Sequence, residues 1–121
     1  MIRGIGIDIC DMNKLKRAIK ERRGFLKRVF SPAEILYCSG KKRPILHYAG
    51  RFAAKEAFIK AVSIDRGIRL NMIDTRNDAH GRPGITVNTS VRALLRKKRA
   101  KKIMISITHT KTAAAAVCVL E

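Results

Sequence analysis

A period of two near the N-terminus is the first constraint this chain places on its fold. In "IRGIGIDIC", Ile5, Ile7 and Ile9 fall on one side and Gly4, Gly6, Asp8 and Cys10 on the other, the spacing of a β-strand. The glycines clear the second side, so Asp8 stands on an uncrowded face. Asp11 is placed to cap a helix whose apolar positions Leu15, Ala18 and Ile19 fall at helical spacing. Lys14, Lys16, Arg17, Lys20 and Arg23 occupy much of the rest of that helix, so it is basic and at least partly exposed. Gly24 interrupts it. In "SPAE", Ser31 as N-cap, Pro32 in the first turn and Glu34 at N3 form a capping box that starts a second helix. "SGKKRP" ends it, and a third helix runs from about Ile45 to about Val62.

Beyond that helix, "NMIDTRND" and "GITVNT" read as strands joined by the turn "AHGRPG". Thr89 or Ser90 is placed to cap a short basic helix, "VRALLRKKRA". "IMISIT" and "AAAAVCVL" then read as strands flanking the turn "HTKT". Strand, helices, strands, helix and a final strand pair imply one mixed α+β domain over residues 1–121, not a regular βαβ array. With 121 residues and 46% hydrophobic content, such a domain buries roughly two-thirds of its unfolded surface and needs no staples. Three widely spaced cysteines, Cys10, Cys38 and Cys118, suggest neither a disulfide framework nor a zinc site. No apolar run is long enough to span a bilayer, and the acid in "MIRGIGIDICD" does not suit a signal peptide. A soluble, cytoplasmic protein is expected.

Charge narrows the partners. The chain carries 27 Lys+Arg against 9 Asp+Glu, a net charge of +18, which favours polyanions: nucleic acid, anionic lipid, an acidic protein or a phosphorylated cofactor. Much of the excess lies in "KLKRAIKERRGFLKR" and in "RKKRAKK", Arg96 to Lys102. Either run is equally readable as a solvated face.

The third helix carries its charges in an unusual pattern. In "AGRFAAKEAFIKA", Phe52, Glu56, Ile59 and Lys60 share one stripe, while Arg51, Lys55 and Phe58 share another. Glu56 and Lys60 stand in the favourable i, i+4 order, and a helix pair of roughly 0.2 to 0.5 kcal/mol accounts for them without function. A surface helix, however, does not set a carboxylate between Phe52 and Ile59. The pattern points to charges at the rim of a cleft.

Taken in order, "GIGIDICD", "FSPAEI", "GRFAAKEAFIKA", "GRP" and "SITHTKTAAAAV" resemble the small holo-[acyl-carrier-protein] synthases, a bacterial type of 4'-phosphopantetheinyl transferase, from residue 2 to about residue 119. The resemblance implies that family's α+β fold, with a mixed or antiparallel sheet packed by helices. It also implies the transfer of the phosphopantetheine arm of coenzyme A to a serine of apo acyl carrier protein, dependent on Mg2+, with adenosine 3',5'-bisphosphate released. Asp8 and Glu56 match the family's metal-binding carboxylates, and two carboxylates suit an ion that keeps waters and borrows phosphate oxygens. Lys60 matches the lysine that approaches the reacting phosphate. Arg51, His109 and Thr110 match positions that contact coenzyme A, and Gly81, Arg82 and Pro83 match the segment near its adenine and phosphorylated ribose. Arg43 adds a phosphate contact. The residues do not separate Glu56 from a water on the cation as the base. Glu34 is a lesser candidate, since its capping role already accounts for it.

Acyl carrier proteins are acidic, so the resemblance gives Lys14, Arg17, Lys20, Arg22 and Arg23 a docking role. It also implies a homotrimer with sites between neighbouring chains. It assigns nothing to "RKKRAKK". "AVSIDRGIRL" holds a single glycine where relatives have a richer loop, and Cys10 beside the metal strand is uncommon. The rival from another class is a noncatalytic nucleic-acid-binding module. Against it stand 5% aromatics, no tryptophan and no helix-turn-helix or zinc spacing. Neither GxxxxGK[ST] nor GxGxxG occurs, which argues against other nucleotide-binding enzymes.

Overall fold

The computed structural model describes residues 1–63 and 67–121. Part of the glycine-poor segment Ala61–Leu70 therefore lies outside the described residues. The elements, in order, are β1 (Gly4–Asp11), α1 (Met12–Glu21), α2 (Phe25–Val29), α3 (Pro32–Ser39), α4 (Pro44–Val62), a 3-10 turn (Leu70–Met72), β2 (Thr75–Asn77), β3 (Pro83–Ile85), α5 (Thr89–Lys98), β4 (Ile103–His109) and β5 (Ala113–Leu120). β1, β5 and β4 form an antiparallel sheet in that order, and β2 and β3 form a separate antiparallel pair. The architecture is α+β, as the sequence implies.

Local chemistry sets most boundaries. Asp11 Oδ1 accepts from the backbone N–H groups of Asn13 and Lys14 at 2.8 and 3.1 Å, which starts α1. Gly24, at φ 76°, ends that run in a left-handed turn open to glycine. At α3 the capping box closes both ways: Glu34 N–H donates to Ser31 Oγ, and Ser31 N–H donates to Glu34 Oε1. The cap of α5 is Asn88, not Thr89 or Ser90; its Oδ1 accepts from Val91 N–H at 2.9 Å. Cations Arg96, Lys97 and Lys98 close that helix, where they suit its dipole. Lys101 and Lys102 N–H both donate to Glu121 O, which ties the rest of the basic run to the C-terminus.

The hairpin expected over 71–89 is shorter than its pattern suggests. Leu70–Met72 form a 3-10 turn, and β2 and β3 hold three residues each, with Pro83 at the start of β3 instead of in the turn. Side chains from elsewhere satisfy the backbone that a longer ladder would have used. Lys55 Nζ donates to Leu70 O at 3.0 Å, and Asn88 Nδ2 donates to Met72 O at 2.7 Å.

Helix α4 is the centre of the molecule, packed across β1 and β5 through small residues. Ala53, Ala54, Ala57 and Ala61 are buried on the helix, and Ala114 and Ala116 are buried on β5. A Cβ at Gly6 would fall 1.9 Å from Ala57 O, and one at Gly4 2.2 Å from Ala61 O. The glycine side of β1 therefore faces α4 at backbone contact. Its isoleucine side is the solvent side, with Ile5, Ile7 and Ile9 at 66, 67 and 72% exposure. Register aligns Ile5 with Val119 and Met104, and Ile7 with Val117, on that same open face.

Candidate active site

Because β1 lies against α4 so closely, Asp8 comes beside the C-terminal half of the helix. Lys60 Nζ donates to Ile7 O at 3.0 Å and to Asp8 Oδ1 at 3.2 Å, joining residues 52 positions apart. The sequence offers Glu56 as a partner for Lys60, but the recorded ion pair of Lys60 is with Asp8. The ammonium turns across to the strand because the strand's carbonyl and carboxylate are both within reach. Glu56 is half-buried next to Asp8. Burial raises its carboxyl pKa above the usual range, the Asp8 charge raises it further, and Lys60 partly offsets both.

The donor set at this point is two carboxylates and one ammonium. Asp8 uses one oxygen for Lys60, and among the described residues no donor reaches its second oxygen or either oxygen of Glu56. Uncommitted carboxylate oxygens held close enough to repel each other fit a hard dication, and the ordinary coordination of Mg2+ leaves room for phosphate and water. Among the described residues no third carboxylate, histidine or cysteine joins them.

A second cleft of about 240 Å³ opens beside the N-terminal half of α4, lined by Tyr37, His47, Arg51, Asn77, Gly81, Pro83 and His109 among others. It brings together four residues picked out in the sequence: Arg51, Gly81, Pro83 and His109. Register decides the direction of His109, which pairs with Ala114 on the α4 side of the sheet. Arg51 is 6% exposed, and its guanidinium stacks 4.1 Å from the Tyr37 ring centre. Its buried Nε has no hydrogen-bond partner among the described residues, an uncommon cost in a folded protein unless a ligand supplies the acceptor. Tyr37 is held in turn by Asn77 Nδ2, which donates to its hydroxyl at 3.1 Å, and Lys41 covers the ring at 4.4 Å.

The remaining candidates are placed differently. Arg82 is exposed on the turn, where its N–H donates to Asp78 Oδ1 and Gly81 takes φ 79°. Thr110 Oγ1 accepts from the N–H groups of Thr112 and Ala113, so the hydroxyl shapes the β4–β5 hairpin. Arg43 is exposed at the start of α4 and lines a different hollow, with Lys16 and Tyr48. Lys14, Arg17, Lys20, Arg22 and Arg23 are all exposed on α1 and the turn after it. Glu34 is buried and committed: Ser31 N–H, Lys55 Nζ, Thr75 N–H and Thr75 Oγ1 all donate to it. Its role is architectural.

Sequence reasoning passed over Tyr37, His47 and Asn77. His47 had a signal, since it stands one turn before Arg51 on the same helical stripe. Tyr37 and Asn77 had none. The Asp8–Glu56–Lys60 cluster and the Arg51 cleft remain separate within one chain; among the described residues no hydrogen bond or ion pair links them.

Comparison with known proteins matches residues 4–118 to a family described as the 4'-phosphopantetheinyl transferase superfamily. The holo-[acyl-carrier-protein] synthase of Syntrophus aciditrophicus is 42% identical over 124 residues, covering 100% of this chain and 97% of that protein. The crystal structure of the holo-[acyl-carrier-protein] synthase from Neisseria meningitidis superposes with a TM-score of 0.89 at 30% identity, covering 100% of this chain and 99% of that one. The Bacillus anthracis holo-(acyl-carrier-protein) synthase in complex with CoA (3',5'-ADP) gives a TM-score of 0.82 at 35% identity, with 100% and 97% covered.

Proposed function

The chain belongs to the 4'-phosphopantetheinyl transferase superfamily, and from that premise we propose that its two half-sites divide the reaction between them. The enzyme transfers the 4'-phosphopantetheine arm of coenzyme A to a serine of apo acyl carrier protein. One transferase domain spans residues 1–121. The observation that carries the division is the convergence of Asp8, Glu56 and Lys60 from a strand and a helix far apart in sequence.

In this reading Asp8 and Glu56 hold Mg2+, which when bound would neutralise the diphosphate bridge of coenzyme A. Their mutual repulsion is what a dication would relieve. Lys60 keeps Asp8 in place through Oδ1 and sets a positive charge beside the leaving nucleotide. The serine hydroxyl of the carrier gives up its proton, to Glu56 or to a water, and its oxygen forms the new bond to the phosphorus nearest pantetheine as the bond to the nucleotide oxygen breaks. Adenosine 3',5'-bisphosphate departs. Positioning and charge balance supply the catalysis, with no enzyme nucleophile. The Arg51 cleft takes the nucleotide end: Gly81 and Pro83 border it, and the free Nε of Arg51 offers a donor to phosphate.

The open sheet face supports a homotrimer. Ile5, Ile7 and Ile9 with Val117, Val119 and Met104 make a contiguous apolar patch of the kind that marks association. Burying it between copies would let the carboxylates of one chain complete the cleft of the next. A monomer mass in sedimentation equilibrium would remove this part. Three free buried thiols suit a reducing cytoplasm, and no helix among the described residues is long and apolar enough to cross a membrane.

The decisive experiment combines the protein with coenzyme A and an apo acyl carrier protein, with Mg2+ or with chelator, and weighs the carrier by mass spectrometry. The carrier gains one phosphopantetheine with Mg2+ and none with chelator. An unchanged carrier mass in both arms would sink the transferase assignment; gain in both would sink the metal.

A further inference from the structure

The Arg51 cleft holds one titratable group that the proposed transfer does not use. His47 lines it from α4, one turn before Arg51, and its ring meets the Tyr37 ring edge-on at 5.8 Å between centres. That contact fixes the imidazole against the cleft wall. His109 enters the same cleft from the end of β4. No carboxylate stands among the cleft's lining residues; the polar groups there are Tyr37 from α3, Asn77 and Gly81 from the β2–β3 hairpin, and the cations. Lys41, in the connection before α4, lies over the Tyr37 ring at 4.4 Å from its centre. Histidine, arginine and lysine are thus gathered where no carboxylate lines the cleft among the described residues, and there a buried guanidinium N–H finds no acceptor among them.

We propose that His47 is a further ligand-binding residue, which with Arg51 and His109 forms a cradle for a phosphate monoester and makes ligand affinity rise as pH falls. This rests on the reading that the cleft takes the nucleotide end of coenzyme A; it adds a residue and a proton linkage to it.

The direction follows from the charges facing the imidazole. Burial, then the charges of Arg51, Lys41 and His109, hold the His47 pKa below its usual value, so the ring is neutral in the empty cleft near pH 7. A phosphate dianion supplies the missing negative charge. It favours the imidazolium, and binding takes up a proton. Affinity then grows as pH falls through the His47 range, by about tenfold for each unit by which the anion raises that pKa. The phosphate's own second ionisation near pH ~6 works in the opposite direction, so the difference between wild type and variant at each pH carries the information.

Three histidines in the chain make the test tractable. Imidazole proton resonances, assigned with His47→Gln and His109→Gln, are followed from pH 5.5 to 8.5 with and without adenosine 3',5'-bisphosphate, and the affinity is measured for wild type and His47→Gln. The expected result is a His47 titration that moves to higher pH on binding, and a wild-type gain in affinity on acidification that His47→Gln largely loses. Binding that perturbs His109 while the His47 titration stays put overturns the inference and leaves the nucleotide cleft standing, as does an identical pH profile in His47→Gln. A bisphosphate that perturbs no histidine removes the nucleotide reading of the cleft together with this one. Should His47→Gln not fold, His80→Gln and His109→Gln assign the His47 resonance by elimination, and the wild-type titration decides.

Discussion

Lys55 and Glu56 are neighbours on α4, yet their surroundings are opposite in kind. Lys55 is fully buried, and its ammonium is matched by the Glu34 carboxylate, Val29 O at 2.6 Å, Leu70 O at 3.0 Å and the face of the Phe30 ring. Glu34, on the other side, is saturated by donors from Ser31 and Thr75. This hub fastens α3, α4, the end of α2 and the start of β2. Glu56, one residue on, accepts no hydrogen bond among the described residues and sits half-buried beside a like-charged neighbour, with Lys60 only partly offsetting both. A satisfied buried pair locks a fold; an unsatisfied half-buried carboxylate holds binding energy in reserve for something absent from the chain.

That contrast breaks most sharply at the hub. Lys55→Ala leaves Glu34 charged, buried and short of its cation, and should cost about 3 to 5 kcal/mol in urea unfolding, a large part of the roughly 5 to 15 kcal/mol that holds an average domain together. Pairing it with Glu34→Gln should recover a good share. A Lys55→Ala loss under about 1 kcal/mol would contradict the hub, since that is the scale of exposed pairs. At the other site the effects reverse. Asp8→Ala and Glu56→Ala should keep the fold and lower transfer by at least ~10²- to 10³-fold, the scale of a lost electrostatic contact in a transition state. Near-normal turnover in both variants would end the metal-site assignment. The smallest effect is expected on α1, where reversing the charges of Lys14 and Arg17 should raise the Michaelis constant for the carrier by about tenfold, lessened by salt, and leave that for coenzyme A nearly unchanged. Equal changes for both substrates would count against docking.

Much of the framework was legible because it is written in short-range chemistry. The Asp11 cap, the Ser31–Glu34 box and the β4–β5 hairpin each depend on residues a few positions apart, so spacing alone located them. Where long-range partners compete for the same backbone, spacing misled. The 71–78 strand is cut to Thr75–Asn77, with Met72 O bonded by Asn88 and the preceding Leu70 O by Lys55, and the α5 cap falls one residue earlier than Thr89. The candidate site was half legible. Asp8, Glu56, Lys60, Arg51 and His109 stood out by pattern and resemblance, but Tyr37 and Asn77 carry no local mark.

By itself the sequence determined where β1, α1, α3, α4, α5 and the β4–β5 pair lie, which side of β1 is glycine, and which charged residues α4 must accommodate, while the short helix α2 and the 3-10 turn before β2 left no pattern to read. Periodicity and capping need only neighbours along the chain. Tertiary structure alone decided that Lys55 goes into the core while Glu56 stays at its edge, that Lys60 reaches Asp8 instead of Glu56, and that His47 shares a cleft with His109. Those outcomes depend on how closely α4 settles onto Gly4 and Gly6, and a backbone distance between remote segments is set by packing, which no local pattern records.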